Sequence, residues 1–171
     1  ILEELKNEFG IKNNVEIEKV TTENIINMLL SFIKDDIKHP LLKELQGHLW
    51  EYGYKNHDFK GHIYKDVPLA FEKWKKNNIS LGIYSSGSVF AQKLLFGYSD
   101  YGDLTTYISA YFDLAVGGKR EKTSYEKISK ELNIQPEEIL FLSDVLAELE
   151  AANQANFQVC QILRPEVISQ N

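Results

Sequence analysis

Residues 79–92 read I-S-L-G-I-Y-S-S-G-S-V-F-A-Q: an apolar run, a cluster of hydroxyls and glycine, and a second apolar run. Residues 79–84 follow the breaker Asn77-Asn78 too closely to finish a helix and are rich in Ile, Leu and Tyr, so a buried strand is predicted there. Ser85 and Ser86 then stand at its carboxyl end. Gly87 allows a close turn, and Ser88 is a good N-cap for a helix over Val89 to Phe96. Strand, small polar turn and helix together aim free backbone N–H groups and hydroxyls at an anion, most commonly phosphate. An ordinary βα turn also bends on Ser-Gly, so this stretch alone leaves both readings open.

Downstream the pattern repeats. Tyr111 to Val116 is a second strand closed by Gly117-Gly118, with Lys119 next, and Thr123 to Glu126 has the form of a capping box opening a helix with Tyr125, Ile128 and Leu132 inward. Pro136 starts a turn before a third strand, Ile139 to Ser143, which places Asp144 at its end. A helix over Leu146 to Asn153 and a fourth strand over Phe157 to Leu163 follow. Strands alternating with helices imply right-handed crossovers and a parallel sheet covered on both faces, an α/β fold.

Upstream the periodicity is helical. Ile1, Leu2, Leu5 and Phe9 recur up to Gly10. Thr22 can cap a helix with Ile25, Ile26, Leu29, Leu30 and Ile33, and Pro40 can open one with Leu41, Leu45 and Leu49. Trp50, Tyr52 and Tyr54 near that helix's end read as core more readily than as a recognition surface. The polar stretch Gly53 to His62 is the expected hinge, giving a helical domain at 1–60 and an α/β domain at 61–171. Asp66 caps a helix with Val67, Ala70, Phe71 and Trp74 on one face. Asp100 and Asp103 lie in a polar loop, Gly97 to Thr106, as solvated turn residues.

Composition narrows the function. The chain has 171 residues, 43% of them hydrophobic, enough for a core without staples. A formal net charge of −6 argues against a nucleic-acid partner. No run reaches the length of a membrane span and no signal peptide is evident, so no membrane partner is expected. The lone Cys160 lies in an apolar run and reads as a small buried thiol in a reducing compartment.

In open parallel sheets, ligands bind beyond the carboxyl ends of the strands. Three such ends carry Ser85-Ser86, Lys119 and Asp144. Hydroxyls and amides to hold phosphoryl oxygens, an ammonium to offset their charge and a carboxylate to hold Mg²⁺ are the parts of phosphoryl-transfer chemistry. Alone, Lys119 reads as a solvated loop lysine and Asp144 as a helix cap. Their shared topological position favours the functional reading. His39, His48, His57 and His62 read as surface or packing residues.

The stretches I-Y-S-S-G-S-V-F-A-Q-K-L-L-F-G-Y, G-G-K followed by S-Y, and I-L-F-L-S-D-V-L-A-E-L closely resemble the enolase-phosphatases of methionine salvage, within the haloacid-dehalogenase-like superfamily. L-Q-G-H-L-W-E-Y-G-Y, residues 45–54, resembles that family's cap. The resemblance implies a Rossmann-like parallel sheet with a small helical cap at 1–60. It implies Ser85, Ser86 and Lys119 on substrate phosphate, a charge-stabilising role for Lys119, and Asp144 as a Mg²⁺ ligand. The implied substrate is a small phosphorylated molecule, 2,3-diketo-5-methylthiopentyl 1-phosphate, enolised and then dephosphorylated. A cytoplasmic monomer, with the nucleus as a second location, is also implied. Another phosphatase or phosphomutase of the superfamily, or a non-catalytic binding module, are the alternatives.

One departure stands out. The superfamily carries its attacking aspartate in Asp-x-Asp/Glu-Gly-Thr at the end of its central first strand, and no such motif occurs in the sequence. Asp35-Asp36 and Asp100 to Asp103 lie in unsuitable contexts. The expectation is that residues preceding Ile1 hold that strand, that the chain alone is inert, and that the strands ending at Ser85 and Asp144 do not pair with each other.

Overall fold

The computed structural model describes residues 1–37 and 39–164 and divides into two compact units, Ile1–Lys60 and a second beginning at Gly61. The first unit is helical: α1 (Leu2–Asn13), α2 (Thr22–Lys34) and α3 (Pro40–Lys55). The N-cap of α2 is Thr21, one residue earlier than the sequence pattern indicated. Its hydroxyl accepts from the Asn24 amide at 3.2 Å, while Asn24 Oδ1 accepts from the Thr21 amide at 3.0 Å. Asparagine thereby completes the reciprocal cap that Glu or Gln usually supplies. Ile25, Met28, Leu29 and Phe32 of α2 bury against Leu5, Val20 and Leu42. Pro40 opens α3, its missing N–H falling where none is needed. Trp50 and Tyr52, expected in the core, are 46% and 67% exposed: two residues apart on α3, they point to nearly opposite sides of the helix, and neither side is covered there.

The second unit holds α4 (Asp66–Lys76), β1 (Gly82–Tyr84), α5 (Val89–Gly97), β2 (Ala110–Phe112), α6 (Lys122–Leu132), β3 (Leu140–Ser143), α7 (Leu146–Gln154) and β4 (Gln158–Gln161). The strands are shorter than their apolar runs because only these residues share ladders. β1 pairs parallel with β2, Tyr84 opposite Phe112, and β3 pairs parallel with β4, Ser143 opposite Gln161. Among the described residues no ladder joins β1 to β3.

Strand alternation sorts the two faces. Tyr84 and Phe112 point to a core of Tyr125 and Ile128 from α6, Ala151 and Ala152 from α7, and Phe157. Ile83 and Tyr111 point to the opposite core, with Phe71 of α4 and Phe96 of α5. Helices therefore cover both faces. Tyr125 is fully buried, and its ring meets Tyr84 at 5.7 Å, Phe141 at 5.1 Å and Phe157 at 5.6 Å, all edge-on. This residue joins the two ladders where no backbone bond does.

Three further local expectations are corrected. Asp66 is the first residue of α4 rather than its cap, and its carboxylate takes both Arg164 guanidinium nitrogens at 2.8 and 2.9 Å. The N-cap of α6 is Glu121, without a side-chain bond, so the Thr123–Glu126 capping box does not form. Cys160 is exposed, because all of β4 stays accessible.

Burial pushes the Tyr125 phenol above the usual tyrosine range, with the Glu148 carboxylate adding to the shift. An unfolded tyrosine ionises near pH 10 while the buried one stays neutral, so the unfolded state loses its proton first. Stability should be complete below about pH 10 and fall above it. Tyr125→Phe should flatten the fall, seen as urea midpoints compared between about pH 9 and 11. Tyr54, Tyr84 and Tyr111, also raised by burial, contribute to the remaining slope.

Candidate active site

The turn after β1 is held by its own side chains. Ser85 N–H bonds the Phe112 carbonyl at 3.1 Å, and Ser85 Oγ accepts from Gly87 N–H at 3.1 Å, which leaves the hydroxyl proton free to donate. Ser88 caps α5 by accepting from Ala91 N–H at 3.2 Å. Asp113, at the end of β2, accepts from Val89 N–H at 3.1 Å and from Ala115 N–H at 2.9 Å. The buried Gln92 donates from Nε2 to the Gly87 and Phe112 carbonyls, both at 2.8 Å, tying the turn to β2. The Ser86 side chain is exposed, and the Ser86 and Ser88 amides make no bond to another described residue. Those amides and the two hydroxyls are the donors the turn offers outward.

Lys119 follows Gly117-Gly118 on a loop whose carbonyls are held one after another. Val116 O accepts from Lys127 Nζ at 2.9 Å, Gly117 O from the Tyr84 hydroxyl at 2.9 Å, Gly118 O from Ser124 Oγ at 2.8 Å and Lys119 O from the Tyr125 hydroxyl at 2.6 Å. Gly117 has φ +134, and a Cβ there would strike Ser124 Oγ, so only glycine fits both the backbone and the space. The loop delivers the Lys119 ammonium to Glu148 Oε2 at 2.7 Å, with side chains 20% and 11% exposed. The ammonium also lies 5.9 Å from the Tyr84 ring centroid, in range of a cation–π contact.

Glu148 in turn accepts from Ser143 Oγ at 2.9 Å, and Ser143 Oγ also accepts from Val145 N–H at 3.1 Å. Asp144 is next in sequence and exposed. The N-cap of α7 is Val145, so the Asp144 carboxylate is not spent on capping. Its carbonyl is engaged, by Gln161 Nε2 at 3.3 Å. Lys119 thus lies against the residue preceding Ser85 and, through Glu148, against the residue preceding Asp144. Glu148 escaped the reading of the sequence. The signal was its place four residues beyond Asp144, which returns a second carboxylate from the first turn of α7 to the same strand tip.

Among the described residues no three His, Cys, Asp or Glu cluster as a metal group. Asp144 offers one exposed carboxylate, which suits Mg²⁺, an ion commonly held by one or two carboxylates with waters and phosphate oxygens.

The sequence matches the haloacid dehalogenase-like hydrolases over residues 4–156. It is 60% identical over 131 residues to the enolase-phosphatase of a Picosynechococcus strain, covering 77% of this chain and 58% of that protein. It is 48% identical over 157 residues to that of Citrobacter koseri, covering 92% and 69%. The chain belongs to the enolase-phosphatase family of haloacid dehalogenase-like hydrolases. The solved UTR4 protein of Saccharomyces cerevisiae superposes on this enolase-phosphatase family member with a TM-score of 0.79 and 34% identity, covering 96% of this chain and 72% of that one. A haloacid dehalogenase family enzyme of Bacteroides thetaiotaomicron, solved with magnesium and inorganic phosphate, shares the fold at a TM-score of 0.53 and 12% identity, covering 61% and 55%. The family member thus spans about three-fifths of its Picosynechococcus relative.

The Lys119–Glu148 pair is mostly shielded from water, so removing one partner strands a charge. Glu148→Ala should destabilise the fold by about 3 kcal/mol, and Lys119→Met in that background should recover part of the loss. Urea unfolding of the four proteins measures it. Equal losses in both backgrounds would mean the two groups do not couple.

Proposed function

We propose that the protein is a Mg²⁺-dependent phosphoric monoester hydrolase with a preceding enolisation step, acting on 2,3-diketo-5-methylthiopentyl 1-phosphate in methionine salvage. The observation that carries this reading is the Lys119 ammonium, fixed between Tyr84 at the tip of β1 and Glu148 beside the tip of β3. Kinship to enolase-phosphatases supports the substrate. Residues 1–60 are read as the cap and 61–171 as the phosphatase core, in a cytoplasmic monomer.

In this reading the Ser85 and Ser86 hydroxyls and the Ser86 and Ser88 amides donate to the phosphoryl oxygens. They are oriented beforehand, Ser85 by its bond to the Gly87 amide and the turn by Gln92. Lys119 offsets the charge that gathers on those oxygens as the ester bond breaks, and Glu148 keeps the ammonium from swinging to solvent. Asp144 is one ligand for Mg²⁺, which when bound supplies Lewis-acid polarisation of the phosphoryl group. The attacking carboxylate is not among the described residues. In the family's strand order it lies between β1 and β3, whose facing edges share no ladder here.

Acid-stable phosphate release from the diketo phosphate, measured on the polypeptide that includes the attacking carboxylate, tests the reading. Lys119→Met should lower kcat about 100- to 1,000-fold, the effect of removing one preorganised charge-stabilising donor. Chelation should abolish activity and added Mg²⁺ restore it. A clear preference for a sugar phosphate in a substrate panel would overturn the substrate assignment.

A further inference from the structure

We propose that Tyr84 is a positioning residue, a strut through which the tip of β1 sets the Lys119 ammonium for phosphate; this rests on the phosphate-site reading above. Three contacts carry it. The Tyr84 hydroxyl donates to the Gly117 carbonyl at 2.9 Å, on the one loop glycine whose left-handed backbone admits no side chain. The Tyr84 ring lies 5.9 Å below the Lys119 ammonium and packs edge-on against Tyr125, whose hydroxyl holds the Lys119 carbonyl. Tyr84 also directly precedes Ser85, whose hydroxyl and amide shape the anion-facing turn.

The consequence is mechanical. β1 is short, with a ladder partner on one side among the described residues, and the loop carrying Lys119 belongs to a different crossover. Without this cross-link the turn would reach the loop only through β2, by the bonds of Ser85, Gln92 and Val89 to Phe112 and Asp113. Tyr84 supplies that link with a rigid side chain of two rotatable bonds whose tip is hydrogen-bonded. Glu148 fixes the same ammonium from the β3 side, so Lys119 is held from both ladders.

The test is a double-mutant cycle on the polypeptide that includes the attacking carboxylate, in the presence of Mg²⁺, with inorganic phosphate as the probe and its dissociation constant read by calorimetry. Tyr84→Phe keeps the ring and removes the hydroxyl. It should weaken phosphate binding about three- to ten-fold, the scale of one neutral hydrogen bond, and should have less than a two-fold effect once Lys119→Met is present. Amide exchange at Gly117 and Glu121, whose N–H groups bond the Leu114 and Gly118 carbonyls at 3.1 and 3.0 Å, should quicken in Tyr84→Phe while exchange within α6 stays unchanged. The same weakening in both Lys119 backgrounds, or unaltered exchange in the loop, would show that Tyr84 only fills space. If that polypeptide, otherwise unmodified, binds no phosphate and Lys119→Met changes nothing, the phosphate-site reading itself falls, a result distinct from an additive cycle.

Discussion

The joint between the two ladders of the α/β unit depends on the Tyr125 side chain. β1–β2 and β3–β4 are separate ladders among the described residues, so their relative placement rests on packing rather than on backbone hydrogen bonds. Tyr125 touches both ladders edge-on through Tyr84 and Phe141 and adds Phe157 at the entry to β4. Such aromatic contacts contribute about 0.5–1.5 kcal/mol each beyond area burial, so three of them rival several ladder bonds. The hydroxyl at the end of the same ring holds the Lys119 carbonyl. The joint of the fold and the floor of the site are therefore one residue.

That arrangement explains why the loop over residues 116–119 can be rigid without regular structure. Each successive carbonyl has a side-chain donor: Lys127, Tyr84, Ser124 and Tyr125 in turn. Two of the four come from the first turn of α6, so the helix start is organised around the loop instead of around its own cap. The failed capping box has its cause here. Ser124 Oγ is drawn to Gly118 O, and α6 already begins at Lys122, two residues too early for Thr123 to cap it.

Much of this was legible in the letters. Apolar periodicity separated α2 from the strands, the turn residues located the strand tips, and the Ser88 cap was readable because N-capping is local chemistry. Ser85, Lys119 and Asp144 were singled out by topology, since strand ends of a parallel sheet share an edge. Glu148 and the carbonyl-binding hydroxyls were not, because periodicity tells which face a residue occupies but not which polar atom it meets. Cys160, Trp50 and Tyr52 went astray for a related reason: an apolar side chain states a preference for burial, and only the packing of neighbours decides whether a cover exists.

Charge balance carries the argument from geometry to cofactor. Glu148 already neutralises Lys119 at 2.7 Å, so the ammonium does not meet an incoming phosphate as an isolated positive charge. Asp144 adds another carboxylate at the adjacent strand tip. A phosphate monoester brings a further charge of about −1.5 to −2, and in a partly shielded site like charges a few ångströms apart repel by several kcal/mol. Outward-facing hydroxyls and amides of the β1 turn offset part of that repulsion as dipoles, but they add no net positive charge. An ordinary βα turn that merely bends on Ser-Gly has no such imbalance to resolve. The exposed Asp144 carboxylate, one residue beyond the Ser143 that bonds the lysine's partner Glu148, therefore supports the divalent cation proposed above, because the cation converts the surplus negative charge from an obstacle into a ligand set.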